Sequence, residues 1–140
     1  MPKFRKIKSS KAEIEKFLVD IKRILNAPNF DVKRDFIFQE LRLEDDENDL
    51  YNNSNTMLAL NYSAEDIVEE IKELQVEHYS ETIIDCKTDG LVPLYVFGKV
   101  IQNREVYIKM RIKVRKNGAE FVFCLSFHFA KHPMEPFPYA

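Results

Sequence analysis

The chain is predicted to be one α+β domain, with N-terminal helices packed on a C-terminal antiparallel β-meander. Three observations predict it. Ser10 and Ser63 each open a stretch with apolar side chains at helical spacing. Between them and the C-terminus the pattern changes to β-branched and aromatic runs separated by turn residues. Finally, Arg104 to Ala130 reads as two long alternating strands around Asn117-Gly118.

The two helices are the plainest elements. Ser10 with Glu13 makes a capping box, in which a side-chain oxygen accepts from an otherwise orphaned helix N–H. Ile14, Phe17, Leu18, Ile21, Ile24 and Leu25 follow on one face, and Asn26-Ala27-Pro28-Asn29 ends the run because proline cannot continue the ladder. Ser63 with Asp66 repeats the signal ahead of Ile67, Val68, Ile71 and Leu74. Glu69 and Glu73 lie one turn apart outside this face, an arrangement usual for a solvated surface. Phe30 to Leu43 mixes both periods, so a short strand followed by a helix and a single helix both fit. Glu44 to Asn55 has the composition of a mobile polar loop, and its acidic residues match no calcium-loop spacing.

At 140 residues the chain can bury a core without staples, and residues 1–140 are read as a single domain. Residues 1–8 form a basic arm expected to be frayed, and residues 131–140 form a proline-rich tail expected to cap the sheet edge. A net charge of −2 argues against indiscriminate nucleic-acid binding by the whole surface but leaves room for a local basic face. Cys86 and Cys124 provide neither a disulfide framework nor zinc-ligand spacing, so reduced, structural thiols are expected. With no signal-peptide core and no apolar run near bilayer length, the expected compartment is the cytoplasm, with no membrane partner.

Strands are expected from His78 to Cys86, Leu91 to Ile101, and Arg104 onward, with turns at Lys87-Thr88-Asp89-Gly90 and Gln102-Asn103. The second turn would set Gly98 opposite Tyr107 and leave room above the sheet. A two-residue type I′ turn at Asn117-Gly118 would then fix the final hairpin. It pairs Tyr107 with His128, Lys109 with Ser126, Arg111 with Cys124, Lys113 with Val122 and Arg115 with Glu120. The other face would pair Val114/Phe121, Ile112/Phe123, Met110/Leu125, Ile108/Phe127 and Val106/Phe129.

That register gathers a phenol, an imidazole and several cations on one sheet face. Lys109 and Arg111 would stand about 7 Å apart. At that spacing two cations repel by roughly 0.6 kcal/mol in water and about four times more at an effective dielectric near 20. Their expected partners, Ser126 and Cys124, carry no opposing charge. An anion binding there would explain the row, and a phosphodiester backbone is the commonest large anion in a cytoplasm. The plainer alternative is that long basic side chains simply reach into water. Tyr107 beside His128 adds chemistry. RNA cleavage without metal needs a base for the 2′-hydroxyl, an acid for the leaving oxygen and cations for the phosphate. His128 suits proton transfer near neutral pH, and Tyr107 can donate a hydrogen bond. A nucleophilic Ser126 lacks the exposed elbow such residues use, and His128 with His132 and Glu135 makes a poor metal set.

Several segments resemble the MqsR family of toxin–antitoxin mRNA interferases, which have a RelE-like ribonuclease fold. They are Leu58-Ala59-Leu60-Asn61-Tyr62 with the helix to Leu74, the stretch Leu74 to Tyr79, and the hairpin strands Val106-Tyr107-Ile108-Lys109 and Cys124-Leu125-Ser126-Phe127-His128. The N-terminal part agrees only in outline. The resemblance implies a type II toxin that cleaves single-stranded mRNA without a cofactor, and a cognate antitoxin that neutralises it. Tyr107 matches a tyrosine among the family's proposed active-site groups. His128 stands where other members can have lysine. Ser80 replaces a lysine expected after Tyr79, and a third-strand glutamine has no counterpart.

The expected catalytic group is therefore Tyr107, Lys109, Arg111 and His128, with Lys113 and Lys99 expected to bind RNA and no metal ligands. The alternative class is a non-catalytic module that binds RNA or a protein through the same face; a toxin scaffold with a decayed site is a third possibility.

Overall fold

The computed structural model describes residues 4–40, 45–85, 93–134 and 136–140. Among these residues the fold is α+β, with four α-helices and a six-stranded, mostly antiparallel sheet. The strands are β1 (Phe4–Ile7), β2 (Phe36–Phe38), β3 (Tyr79–Asp85), β4 (Leu94–Ile101), β5 (Arg104–Val114) and β6 (Glu120–Phe129). The helices are α1 (Lys11–Leu25), α2 (Val32–Asp35), α3 (Asn53–Leu60) and α4 (Ala64–Lys72). The sheet order is β1-β3-β4-β5-β6-β2, and only the β2–β6 pair is parallel. Among the described residues no helix is long and apolar enough to cross a membrane.

Both strongly patterned helices form as their caps require. The Ser10 hydroxyl accepts from the Glu13 N–H at 3.1 Å, and Ser63 and Asp66 satisfy one another's backbone N–H groups. The six apolar positions of α1 and the stripe Ile67, Val68, Ile71 of α4 are buried against one sheet face. Each such side chain contributes about 1.5–3 kcal/mol over its exposed state. Phe97, Val106, Ile108, Met110, Phe127 and Phe129 complete that core from the sheet.

The described part of the N-terminal arm is not frayed. Its residues 4–7 pair with β3 as the edge strand β1, where Arg5 and Lys6 discourage further strand addition. The mixed stretch before the acidic loop resolves into one helical turn, α2, and the three-residue strand β2. The part of that stretch covering Leu41 and Leu43 lies outside the described residues, as do Cys86 and the turn expected at Lys87–Gly90. The end of the segment expected to be a polar loop is instead the N-terminus of α3, capped by Asn52.

Helix α3 finishes the sheet with side chains. Among the described residues, strand β2 covers the edge of β6 from Val122 to Cys124. Beyond it, Asn53 Nδ2 donates to the Leu125 carbonyl at 3.0 Å and to the Gln39 carbonyl at 2.6 Å, while Asn53 Oδ1 accepts from the Phe127 N–H at 3.0 Å. Thr56 Oγ1 accepts from the Phe129 N–H at 3.1 Å. One buried amide and one buried hydroxyl thus take the place of a neighbouring strand.

The turn at Gln102-Asn103 forms as expected, and the turn at Asn117-Gly118 does not. Gln102 and Asn103 both have positive φ (49° and 68°), so the type I′ turn connects β4 to β5, and Gly98 does oppose Tyr107. At the other hairpin only Gly118 is left-handed (φ 88°). The Gly118 N–H bonds to the Arg115 carbonyl, and Arg115 pairs with Ala119. This is a three-residue loop, which shifts the register by one. The pairs near the turn are therefore Arg111↔Phe123, Ile112↔Val122, Lys113↔Phe121 and Val114↔Glu120. A β-bulge at Leu125 restores the expected register, so Lys109↔Ser126 and Tyr107↔His128 stand. The expected pairs Arg111/Cys124, Lys113/Val122 and Arg115/Glu120 are corrected: Cys124 and Val122 face the core, and Phe121 and Phe123 face outward. Glu120 instead meets Arg23 of α1 at 3.0 Å.

The tail does not cap an edge. Met134 and Phe137 lie on the outer sheet face, where a Cβ added to Gly98 would come within 2.9 Å of each. The space expected above that glycine is filled by the protein's own tail. Together with Ile83, Leu94 and Val96 these residues make a second, smaller core. Tyr139 reaches further, stacking on Tyr79 and donating to the Ser9 carbonyl.

Two outcomes follow for stability. Replacing Asn53 with alanine removes the acceptor of the buried Phe127 N–H. The expected loss is about 1–3 kcal/mol for that orphaned group, read from the urea midpoint; a loss below about 0.5 kcal/mol would contradict the edge-clamping role. The second concerns His78, whose Nδ1 accepts from the Gln75 N–H at 2.9 Å and must be unprotonated to do so. Burial, aided by Lys99 and Lys22 against the opposing pull of Glu77, holds its pKa below the usual 6.5. The unfolded chain then binds the extra proton first, so stability is full above pH 6.5 and falls as pH drops through the lower folded value. His78→Gln is expected to flatten that slope in thermal melts recorded across pH.

Candidate functional site

Tyr107 and His128 meet across the β5–β6 ladder with ring centroids 5.2 Å apart and planes within 14°, a stacked pair. They stand together because a one-residue loop extension and a one-residue bulge cancel between the turn and this position. The His128 Nδ1 lies 3.0 Å from the Phe129 carbonyl, which can only accept, so Nδ1 carries a proton in that bond. Proton exchange is thereby directed to Nε2.

The stacked pair lines a pocket of about 370 Å³ with Lys6, Ser80, Glu81, Ala130, Lys131, His132, Pro133 and Met134. Each wall has a separate origin. Strand β1 contributes Lys6, β3 contributes Ser80 and Glu81, and the tail contributes the residues after Phe129. Lys6 and Glu81 form an ion pair at 3.4 Å. Ser80, at the position where the family resemblance expects lysine, is nearly buried, and its carbonyl accepts from Lys8 Nζ at 2.6 Å. His128 and Lys131 also border a second pocket of about 330 Å³ that includes Asp45, Asp46 and Asp49. Asp49 holds Lys131 at 3.7 Å. Among the described residues no three His, Cys, Asp or Glu side chains converge as a metal site, and Glu135 lies outside them.

Beyond the pocket the outer face continues along the hairpin as alternating cations and rings. Lys109 Nζ is 5.9 Å from the Tyr107 ring, and Arg111 Cζ is 5.9 Å from that of Phe123. Lys113 Nζ approaches the Phe123 ring at 5.1 Å, and Arg115 Cζ lies 4.2 Å over Phe121. The Arg115 guanidinium is fixed there by donating to the Arg34 carbonyl at 2.6 Å. Cation–π contacts of this kind contribute about 0.5–1 kcal/mol at exposed sites.

Four residues expected at the site, Tyr107, Lys109, Arg111 and His128, share one face, and Lys113 extends it. Lys99 stands apart. It opposes Val106 on the helix-side face and is held by Glu70 at 2.8 Å under α4. Glu70 also accepts from the Tyr62 hydroxyl at 2.6 Å, and burial with that bond pushes the Tyr62 pKa up to about 12. Sequence reasoning took Lys6 only as part of a basic arm that could touch phosphates, and it did not single out Glu81. Their signal was weak, because the basic arm showed no strand pattern and only the β1–β3–β4 order brings both to the pocket.

The chain matches no protein-family model, no curated protein and no solved structure.

Replacing Gly98 with valine is expected to displace Met134 and Phe137 and so open the tail wall of the pocket. Limited proteolysis should then cut after Lys131 faster than in the parent protein. Unchanged cutting would show that the tail is not seated on Gly98.

Proposed function

We propose that this protein is an endoribonuclease that cleaves single-stranded RNA without a metal ion, built on a RelE-like scaffold and acting as the toxin of a toxin–antitoxin pair. The observation that carries the reading is the Tyr107–His128 stack in a pocket that also holds Lys6 and Glu81. A carboxylate, an imidazole and an ammonium around one cavity can take a proton from a 2′-hydroxyl, return one to the leaving 5′-oxygen and offset charge on the phosphate. In this reading Glu81 is the general base. His128, protonated at Nε2, is the acid, and Tyr107 donates to a phosphate oxygen. The 2′-oxygen attacks phosphorus as the bond to the 5′-oxygen breaks, leaving a 2′,3′-cyclic phosphate and a 5′-hydroxyl. Lys6 would supply from β1 the positive charge that Ser80 lacks, and Lys109 and Arg111 would hold the adjoining phosphates. The resemblance to MqsR toxins supports this reading on Tyr107 and the His128 position. It further suggests an antitoxin that covers the basic face or adds to a sheet edge.

A second reading, a non-catalytic RNA-binding module, is favoured by the length of the cation–ring strip beyond the pocket. Purified protein incubated with single-stranded RNA in EDTA separates the two. Cleavage to cyclic-phosphate ends should persist, fall by about 10²–10⁴-fold in His128→Ala, and fall comparably in Glu81→Gln. Salt-sensitive binding with intact RNA would leave the module and remove the enzyme.

A further inference from the structure

The geometry points to a base-stacking track for single-stranded RNA on the outer face of the β5–β6 hairpin, with Phe123 and the Arg115 guanidinium over Phe121 as its two platforms. This deepens the ribonuclease reading by saying where the substrate lies beyond the pocket, and it rests on that reading only for the direction in which the strand leaves.

The bulge at Leu125 carries the argument. Without it, Phe121 and Phe123 would face the core; with it, they oppose Lys113 and Arg111 on the outer face, half-buried. Ile37 of β2 is the register partner of Phe123 on its other side. Each ring is flanked by cations: Arg111 and Lys113 at Phe123, Arg115 at Phe121. Residues two apart on a strand stand about 7 Å apart, of the order of one nucleotide step in an extended strand. Phe123 therefore offers a π-face to one base, and the Arg115 guanidinium seated over Phe121 offers a stacking plane to the next, beside charges for the intervening phosphates.

Fold stability does not by itself select such a row. Neighbouring cations at that spacing repel one another, which offsets part of the cation–π attraction. A bound polyanion removes the repulsion and keeps the stacking. Among the described residues, Met134 and Phe137 lie over Gly98 and cover the outer face on the β4 side. A strand leaving the Tyr107–His128 pocket along the sheet thus runs toward Phe123.

The protein has no tryptophan, so the F123W variant carries a single emission reporter on the proposed track. Titration with a short single-stranded oligonucleotide bearing 2′-O-methyl groups, which cannot be cleaved through the 2′-oxygen, should quench that emission. Phe123→Leu should weaken oligonucleotide binding by about 5–150-fold, the equivalent of one lost base stack of about 1–3 kcal/mol, with Phe123→Tyr restoring it. Heparin, a polyanion without bases, should bind Phe123→Leu as well as the parent protein. The track is overturned if F123W emission stays constant at saturating oligonucleotide, or if Phe123→Leu loses heparin and oligonucleotide equally. A face built for a protein partner would give the first of these results. Quenching in a protein that never cleaves RNA would retain the track and reject the catalytic reading; cleavage with a silent F123W would do the reverse.

Discussion

The structure depends on how Asn53 holds the bulged strand β6. Its amide donates to the carbonyl of Leu125, the extra residue, and accepts from the N–H of Phe127, so it grips the backbone at the irregularity and just beyond it. In a sheet, a one-residue shift moves every following side chain to the opposite face. Below the bulge, Val122 and Cys124 therefore point to the helices and Phe121 and Phe123 point away. Above it, Phe127 and Phe129 fill the core while His128 faces Tyr107. The packing of α1 and α4 and the chemistry of the outer face both follow from that single inserted residue.

The outer face is divided by the tail. On the β3–β4 side, Met134 and Phe137 cover Ile83, Leu94 and Val96, and the absence of a side chain at Gly98 lets them approach the backbone. On the β5–β6 side, cations alternate with half-buried rings. The pocket lies at the junction, with one wall from the tail and another from β1. Its charged groups come from strands distant in sequence, and the sheet order alone assembles them. The helix-side face treats charge differently: Lys99 pairs with Glu70 under α4, and burial with the Glu70 hydrogen bond keeps the Tyr62 phenol neutral.

Local signals made much of the fold legible. The serine caps and the apolar stripes marked α1 and α4, and the meander of four strands was visible in its β-branched and aromatic runs. What escaped were elements whose stability is not local. Strand β1 is short and basic and exists because β3 accepts it; β2 has three residues and depends on β6. Helix α3 has little amphipathic pattern, and its polar residues looked like a loop because they are buried for the hydrogen bonds they give to a strand edge. Asn-Gly, the strongest turn signal in the chain, suggested the wrong turn type, since the same dipeptide also fills a type I turn followed by a left-handed glycine.

The sequence by itself determined which residues could share a strand face, because alternation within β5 is independent of any partner. It therefore determined that Tyr107, Lys109, Arg111 and Lys113 stand together. The tertiary structure decided what lies opposite them. The Tyr107–His128 pairing came out as expected only because the longer turn and the bulge offset one another, and the bulge is set by an asparagine some seventy residues away. Phe123 in place of Cys124 beside Arg111, Lys6 and Glu81 in the pocket, and the tail over Gly98 were likewise settled by packing between distant segments. Period-two alternation records which side chains agree along one strand; the register between strands is set by the groups that must be satisfied at their edges.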